Sequence, residues 1–191
     1  MWEELLKRWW VADPFRPTEE ARRYYETKHR IAERLQPRSI VEIGVRAGYS
    51  AYAFLHACPK AYFLGIDWGI KGAFDEANRN EVAFCSNNVE RLMSEFPSFR
   101  MIWNNSHHLG GIPAAPGGGV YEFAHVDADH SYEGCTADLK LTKDCKWVLV
   151  DDFDVGPEVR GACRDWLLAH PELKAEYIPD GFRGQLLIER R

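Results

Sequence analysis

The chain has no long hydrophobic run, no long run of basic residues, no paired-cysteine spacing and no internal repeat, and each absence removes a class of answer. No stretch approaches the ~18 apolar residues that a membrane span needs. The start, Met1-Trp2-Glu3-Glu4-Leu5-Leu6, lacks the basic-then-apolar order of a signal peptide. A formal net charge of −5 argues against a nucleic-acid binder held by its overall field. Five cysteines, Cys58, Cys85, Cys135, Cys145 and Cys163, are odd in number and show no C-x-x-C pair. That pattern fits reduced core thiols in a cytoplasm better than a disulfide framework. The expectation is a cytoplasmic protein with a small-molecule partner, no nucleic acid and no membrane, and with a homodimer left open.

What is present is one domain's worth of core: 191 residues, 46% of them apolar. Trp2, Leu5, Leu6, Trp9 and Trp10 recur at helical spacing, and after Pro14 and Pro17 a second helical pattern carries Ala21, Tyr24, Tyr25, Ile31 and Leu35. Residues 1–38 therefore read as an N-terminal helical cap, whose aromatics either pack on the rest or line a substrate mouth or dimer contact. From Ser39, over 39–191, apolar runs of strand length alternate with helical stretches, the signature of βαβ units and a parallel sheet. The expected strands are Ile40–Val45, Tyr62–Asp67, Arg100–Asn104, Tyr121–Asp127, Lys146–Asp151, Leu173–Pro179 and Gln185–Glu189. Only Asp180-Gly181-Phe182-Arg183-Gly184 separates the last two, too short for a crossover helix, so they should form an antiparallel hairpin. The plan is a single Rossmann-like α/β domain with a mostly parallel seven-stranded sheet ending in that hairpin.

Two neighbouring strands finish in acids. Phe123-Ala124-His125-Val126 runs into Asp127-Ala128-Asp129-His130-Ser131-Tyr132, and Trp147-Val148-Leu149-Val150 into Asp151-Asp152. Ligands of open α/β sheets bind outside the carboxyl ends of the strands, so these acids share one crevice. Like carboxylates at close quarters need a shared proton or a cation among them. Asp129 reads as a cap for the helix that starts near Ser131. His125 shares a face with Asp127, and the default for it is a satisfied core histidine.

The first strand ends in Glu42-Ile43-Gly44 and turns through Val45-Arg46-Ala47-Gly48 into Tyr49-Ser50-Ala51. Glycines there admit a ligand close to the backbone, and the following helix offers free N–H groups. The second strand ends in Asp67, where a carboxylate can take up a ribose diol. The Gly44-x-x-x-Gly48 spacing is not that of a dinucleotide site, which shifts the reading toward another adenosine-containing ligand.

Val41 to Ala51 resembles the cofactor motif of class I S-adenosylmethionine-dependent methyltransferases, particularly the catechol O-methyltransferase-like group and methyltransferase domain family 24. The resemblance runs from Ser39 to about Glu189. It implies a methyltransferase fold and a cofactor shell of Glu42, Gly44, Gly48 and Ser50 at the amino-acid end and Asp67 at the ribose. Ser106 and His107 are implied near the adenine, where Asn105 stands in place of the usual Gly or Asp, and Asp127 closes the shell. It further implies a divalent cation, Mg²⁺ or Mn²⁺, on Asp127, Asp151 and Asp152, and His130 as the catalytic base. The function so implied is cation-assisted O-methylation of a sugar, polyketide or catechol-like hydroxyl. The alternatives are a metallohydrolase centre of His125, Asp127, His130, Asp151 and Asp152, and a non-catalytic module that binds S-adenosylmethionine.

Overall fold

Strands with no solvent-exposed face must be covered on both sides, and Ser39–Ile43 and Phe123–Val126 are buried at every residue. The computed structural model, which describes residues 19–68 and 79–190, meets that demand with helices on both faces of one sheet. The first expected helix, Trp2 to Trp10, lies outside the described residues.

Helix α1 (Glu19–Leu35) leads into β1 (Ser39–Ile43), α2 (Tyr49–Ala57) and β2 (Tyr62–Asp67). Helix α3 (Arg79–Glu95), β3 (Phe99–Trp103) and a short 3₁₀ turn (Ser106–His108) follow. The chain then gives β4 (Phe123–Val126), α4 (Tyr132–Leu141), β5 (Trp147–Val150), α5 (Pro157–Ala169), β6 (Lys174–Ile178) and β7 (Gln185–Glu189). The sheet order is β3-β2-β1-β4-β5-β7-β6. The five strands β1 to β5 are parallel, and β7 pairs antiparallel with both β5 and β6.

Side chains alternate along each strand, and the alternation sorts two cores. Ile40, Phe63, Phe123, Leu149 and Leu187 face α1, α2 and α3, packing on Ile31, Ala32, Phe54, Leu55 and Leu92. Val41, Leu64, Ala124, Val148 and Ile188 face the other way, against Cys135, Leu139, Val159 and Cys163 of α4 and α5. All five cysteines are buried and free. No described helix is long and apolar enough to cross a membrane.

The strand order reverses between β1 and β4, which is where open α/β sheets bind ligands. There Gly44 adopts φ +92°, and a Cβ on it would lie 2.0 Å from the backbone oxygen of Asp127. The turn that leaves β1 and the end of β4 thus approach too closely for any side chain. Replacing Gly44 by Ala combines a left-handed strain with a backbone clash and should cost upward of ~3 kcal/mol in urea unfolding. Gly181 has a similar φ of +76° with nothing within 4 Å, so Gly181→Ala should cost only about 1–2 kcal/mol. Equal losses for the two variants would contradict the close approach at Gly44.

Candidate functional site at the carboxyl ends of the sheet

Asp127 and Asp151 leave their strands side by side. The Asp127 N–H donates to Ile43 O at 2.9 Å and the Asp151 N–H to Val126 O at 3.0 Å, continuing the ladders of β1, β4 and β5. By the same alternation Glu42, His125, Asp127 and Asp151 all point to the face that α1 covers. Into their midst α1 sends Lys28, whose side chain is wholly buried.

The Lys28 ammonium spends its three protons on three acceptors: Asp151 Oδ2 at 2.6 Å, the Tyr24 hydroxyl oxygen at 2.8 Å and His125 Nε2 at 3.0 Å. Asp127 Oδ2 lies 3.7 Å away. Tyr24 in turn donates its hydroxyl proton to Asp151 Oδ2. With Lys28 donating to Nε2, the His125 ring carries its proton on Nδ1 and donates it to Glu42 Oε1 at 2.7 Å. Burial works to discharge Lys28, but Asp151 and Asp127 outweigh it and hold the ammonium above its usual pKa. Burial likewise works to raise the Asp151 carboxyl, and Lys28 overrules it, holding that carboxyl well below the usual range. Asp127, with Asp151 beside it, is pushed up to about 6, by burial first and by that neighbouring charge second.

Asp152 has a second protein cation. Arg183 Nη1 donates to both Asp152 oxygens at 2.8 Å. The hairpin loop that carries Arg183 is built on Asp180, whose Oδ1 accepts the N–H groups of Phe182, Arg183 and Gly184. The Asp154 N–H then donates to Arg183 O at 2.8 Å, docking the loop on the end of β5. Asp152 itself adopts φ +56°, a left-handed conformation uncommon outside glycine. His130 bridges the two acids, with Nε2 3.3 Å from Asp127 Oδ1 and Nδ1 3.2 Å from Asp152 Oδ2. Its side chain is 45% exposed, against 23% for Asp127 and 4% for Asp152. The bond to Asp127 raises its pKa above that of a free histidine, against a partial burial that lowers it.

On the other side of the switch point, Asp67 Oδ2 accepts the N–H groups of Val45 and Arg46 at 2.9 and 2.8 Å and so braces the glycine turn. Glu42 Oε1 accepts from Ser50 and His125, while Glu42 Oε2 is buried with no partner. A buried carboxylate oxygen left without a donor suits a cationic amino group. Ser106 turns inward, donating to Asp138 Oδ1 at 2.8 Å, with His107 Nε2 3.8 Å from the same oxygen. Ser131, not Asp129, caps α4: its hydroxyl accepts the Gly134 N–H, and Asp129 holds the Ser131 N–H one step earlier.

A parallel sheet reversing at a glycine turn, with an acid ending each of β1's two neighbouring strands and a hairpin at the far edge, defines a class I S-adenosylmethionine-dependent methyltransferase. The sequence model of a methyltransferase-domain family, methyltransferase domain family 24, matches residues 41–152, and the chain belongs to that family. Among solved structures, the O-methyltransferase TomG of tomaymycin synthesis from Streptomyces achromogenes, in complex with S-adenosylmethionine, superposes with a TM-score of 0.64 at 22% identity. That match covers 87% of this chain and 79% of TomG. CalS11, a TDP-rhamnose 3′-O-methyltransferase of calicheamicin biosynthesis, gives 0.64 at 18% identity over 98% of this chain and 86% of its own. An O-methyltransferase from Bacillus cereus, in complex with S-adenosylhomocysteine, gives 0.62 at 16% identity over 100% and 90%. No curated protein sequence matches the chain. At these identities the solved structures speak for the fold.

The residues present suit S-adenosylmethionine: the Gly44 turn, the unpartnered Glu42 Oε2 and Asp67 lie together at the switch point. They do not suit the divalent cation expected on Asp127, Asp151 and Asp152. The donor atoms that cluster within 4.8 Å are instead His125, Asp127 and Asp151, or Asp127, His130 and Asp152. The Lys28 ammonium already bonds two members of the first set, and Arg183 grips Asp152 in the second. The metallohydrolase alternative falls with it, since His125 has both ring nitrogens engaged in the interior.

Lys28, Tyr24 and Arg183 were absent from the expected site. A signal for Lys28 existed: it falls in the stripe Ala21, Tyr24, Tyr25, Lys28, Ile31, Leu35, a lone charge at helical spacing among apolar residues. Arg183, in a hairpin loop, had none.

Asp138, buried on α4 beneath Ser106, is pushed up to about 6 by its burial, against smaller opposing effects of Ser106 and His107. A carboxyl whose folded pKa exceeds the ~3.9 of the unfolded chain binds its proton more tightly when folded, so stability falls as pH rises from about 4 to about 6. The full penalty, about 2–3 kcal/mol, applies at neutral pH. Asp138→Asn keeps an acceptor for Ser106 and removes the charge. The melting temperature of the variant minus that of the wild type should therefore climb between pH 4 and pH 7. A flat difference would count against the raised Asp138.

Proposed function

We propose that the protein methylates a hydroxyl of a small molecule, a sugar, polyketide or catechol-like compound, with His130 as general base. The observation that carries this reading is the His130 ring, half-exposed between two carboxylates, one of which belongs to Asp127, whose backbone packs on Gly44. S-Adenosylmethionine, when bound, supplies an electrophilic methyl group. Glu42 and the Gly44 to Gly48 turn would hold its amino-acid end and Asp67 its ribose. The protein's part in the transfer is to orient the acceptor oxygen and remove its proton. Asp127 and Asp152 fix the imidazole from both sides and raise its affinity for that proton. The incoming hydroxyl displaces one of those two contacts. The TDP-rhamnose acceptor in the name of CalS11, and the place of TomG in tomaymycin synthesis, support the same substrate class.

His130→Ala should lower kcat by about 10²–10⁴-fold, read as S-adenosylhomocysteine release across a panel of hydroxylated acceptors. Calorimetric titration with S-adenosylmethionine should give the same affinity for variant and wild type. Undiminished turnover in the variant would remove His130 from this role, and a wild type that fails to bind S-adenosylmethionine would remove the reading altogether.

A further inference from the structure

The acids at the ends of β4 and β5 are already neutralised, and by the protein itself. We infer that Lys28, with Arg183 beside it, occupies the place of a divalent cation, so that the cluster of Asp127, Asp151 and Asp152 is a closed, metal-independent site with Lys28 as its positioning residue.

Three observations converge. The Lys28 ammonium has all three protons placed on Asp151, Tyr24 and His125, with no solvent access, so no coordination position is left on Asp151 Oδ2. The other Asp151 oxygen accepts the backbone N–H of Asp152 at 3.0 Å. Arg183 then covers both oxygens of Asp152. Two single positive charges thus stand where one double charge would, each fixed by its own element: Lys28 by α1, Arg183 by the β6–β7 loop. A divalent cation entering among them would meet two like charges and would have to break several charge-assisted bonds. What Lys28 does for catalysis is hold Asp127, through Asp127 Oδ2 at 3.7 Å, in the position from which Oδ1 meets His130.

The inference rests on the O-methyltransferase reading for its meaning but not for its test, since cation binding can be measured without an acceptor. Mn²⁺ is the probe, followed by electron paramagnetic resonance of the free ion and by thermal shift. Wild-type protein stripped with chelator should leave millimolar Mn²⁺ free and show no change in melting temperature. Lys28→Met, which empties the space while keeping the stem, should lower the melting temperature and regain much of it when Mn²⁺ is added, because an ion that binds only the folded state stabilises it. Lys28→Arg, which keeps the charge, should not respond to Mn²⁺. Once an acceptor is found, wild-type turnover should be the same with and without chelator. Stoichiometric Mn²⁺ binding by the wild type would overturn the inference, whether or not the Met variant folds. A folded Lys28→Met protein indifferent to Mn²⁺ would overturn it as well, since a lysine with a merely structural role would leave that result.

Discussion

The structure turns on one ammonium group in the wrong place for a lysine. A buried charge is costly unless its partners replace all that water supplied, and Lys28 meets that condition with three acceptors and a fourth acid nearby. The arrangement constrains everything around it. Helix α1 must lie over the carboxyl ends of β1, β4 and β5 at one rotation about its axis, because only then do Tyr24 and Lys28, one turn apart, reach Asp151 together. Removing either side of such a pair strands the other in the interior, a loss of about 3–5 kcal/mol. The pair therefore specifies the placement of the helix more than it adds to net stability. Phe182 of the hairpin loop packs edge-on against Tyr24, so the segment that brings Arg183 to Asp152 is tied to the same helix.

The fold was legible because its signals are local. Continuous apolar runs gave the buried strands, a five-residue gap gave the hairpin, and the glycine after β1 marked the reversal, each rule acting over a few residues. Strand ends came out one or two residues shorter than expected at β4, which spans Phe123–Val126 rather than 121–127. The acids at the strand ends were equally visible, and so was the electrostatic demand for a cation among them. What supplies that cation was not visible, because Lys28 is ninety-seven residues from His125 in sequence and a single lysine in a charged helix is ordinary. Its position in the apolar stripe was the clue. A charge on the buried face of an amphipathic helix asks for a buried partner, and the acids at the ends of β4 and β5 were candidates for it. The misplacement of the α4 cap by two residues, from Asp129 to Ser131, is a smaller case of the same kind: both types cap helices, and only the backbone decides between them.

The hydrogen bonds form one chain across the switch point. Ser50 donates to Glu42, His125 to Glu42, Lys28 to His125 and to Asp151, and Tyr24 to Asp151. Every donor in it is used, whereas one acceptor, Glu42 Oε2, is not. A cationic group arriving at that oxygen would complete the chain. It would also lower the negative potential felt by His125 and, through it, by Lys28.

Asp127 is where the closed and open parts of the site meet. Its Oδ2 faces the buried Lys28 and its Oδ1 faces the half-exposed His130, so one carboxylate links the charge of the interior to a ring at the surface of the cluster. Its backbone oxygen is also the atom that forbids a side chain at Gly44. A single residue thus sets the close approach of the β1 turn, the position of the imidazole and the boundary of the charge cluster. Glycine, histidine and lysine each meet Asp127 in a different way: the first makes room for its backbone, the second contacts its Oδ1, and the third balances its charge.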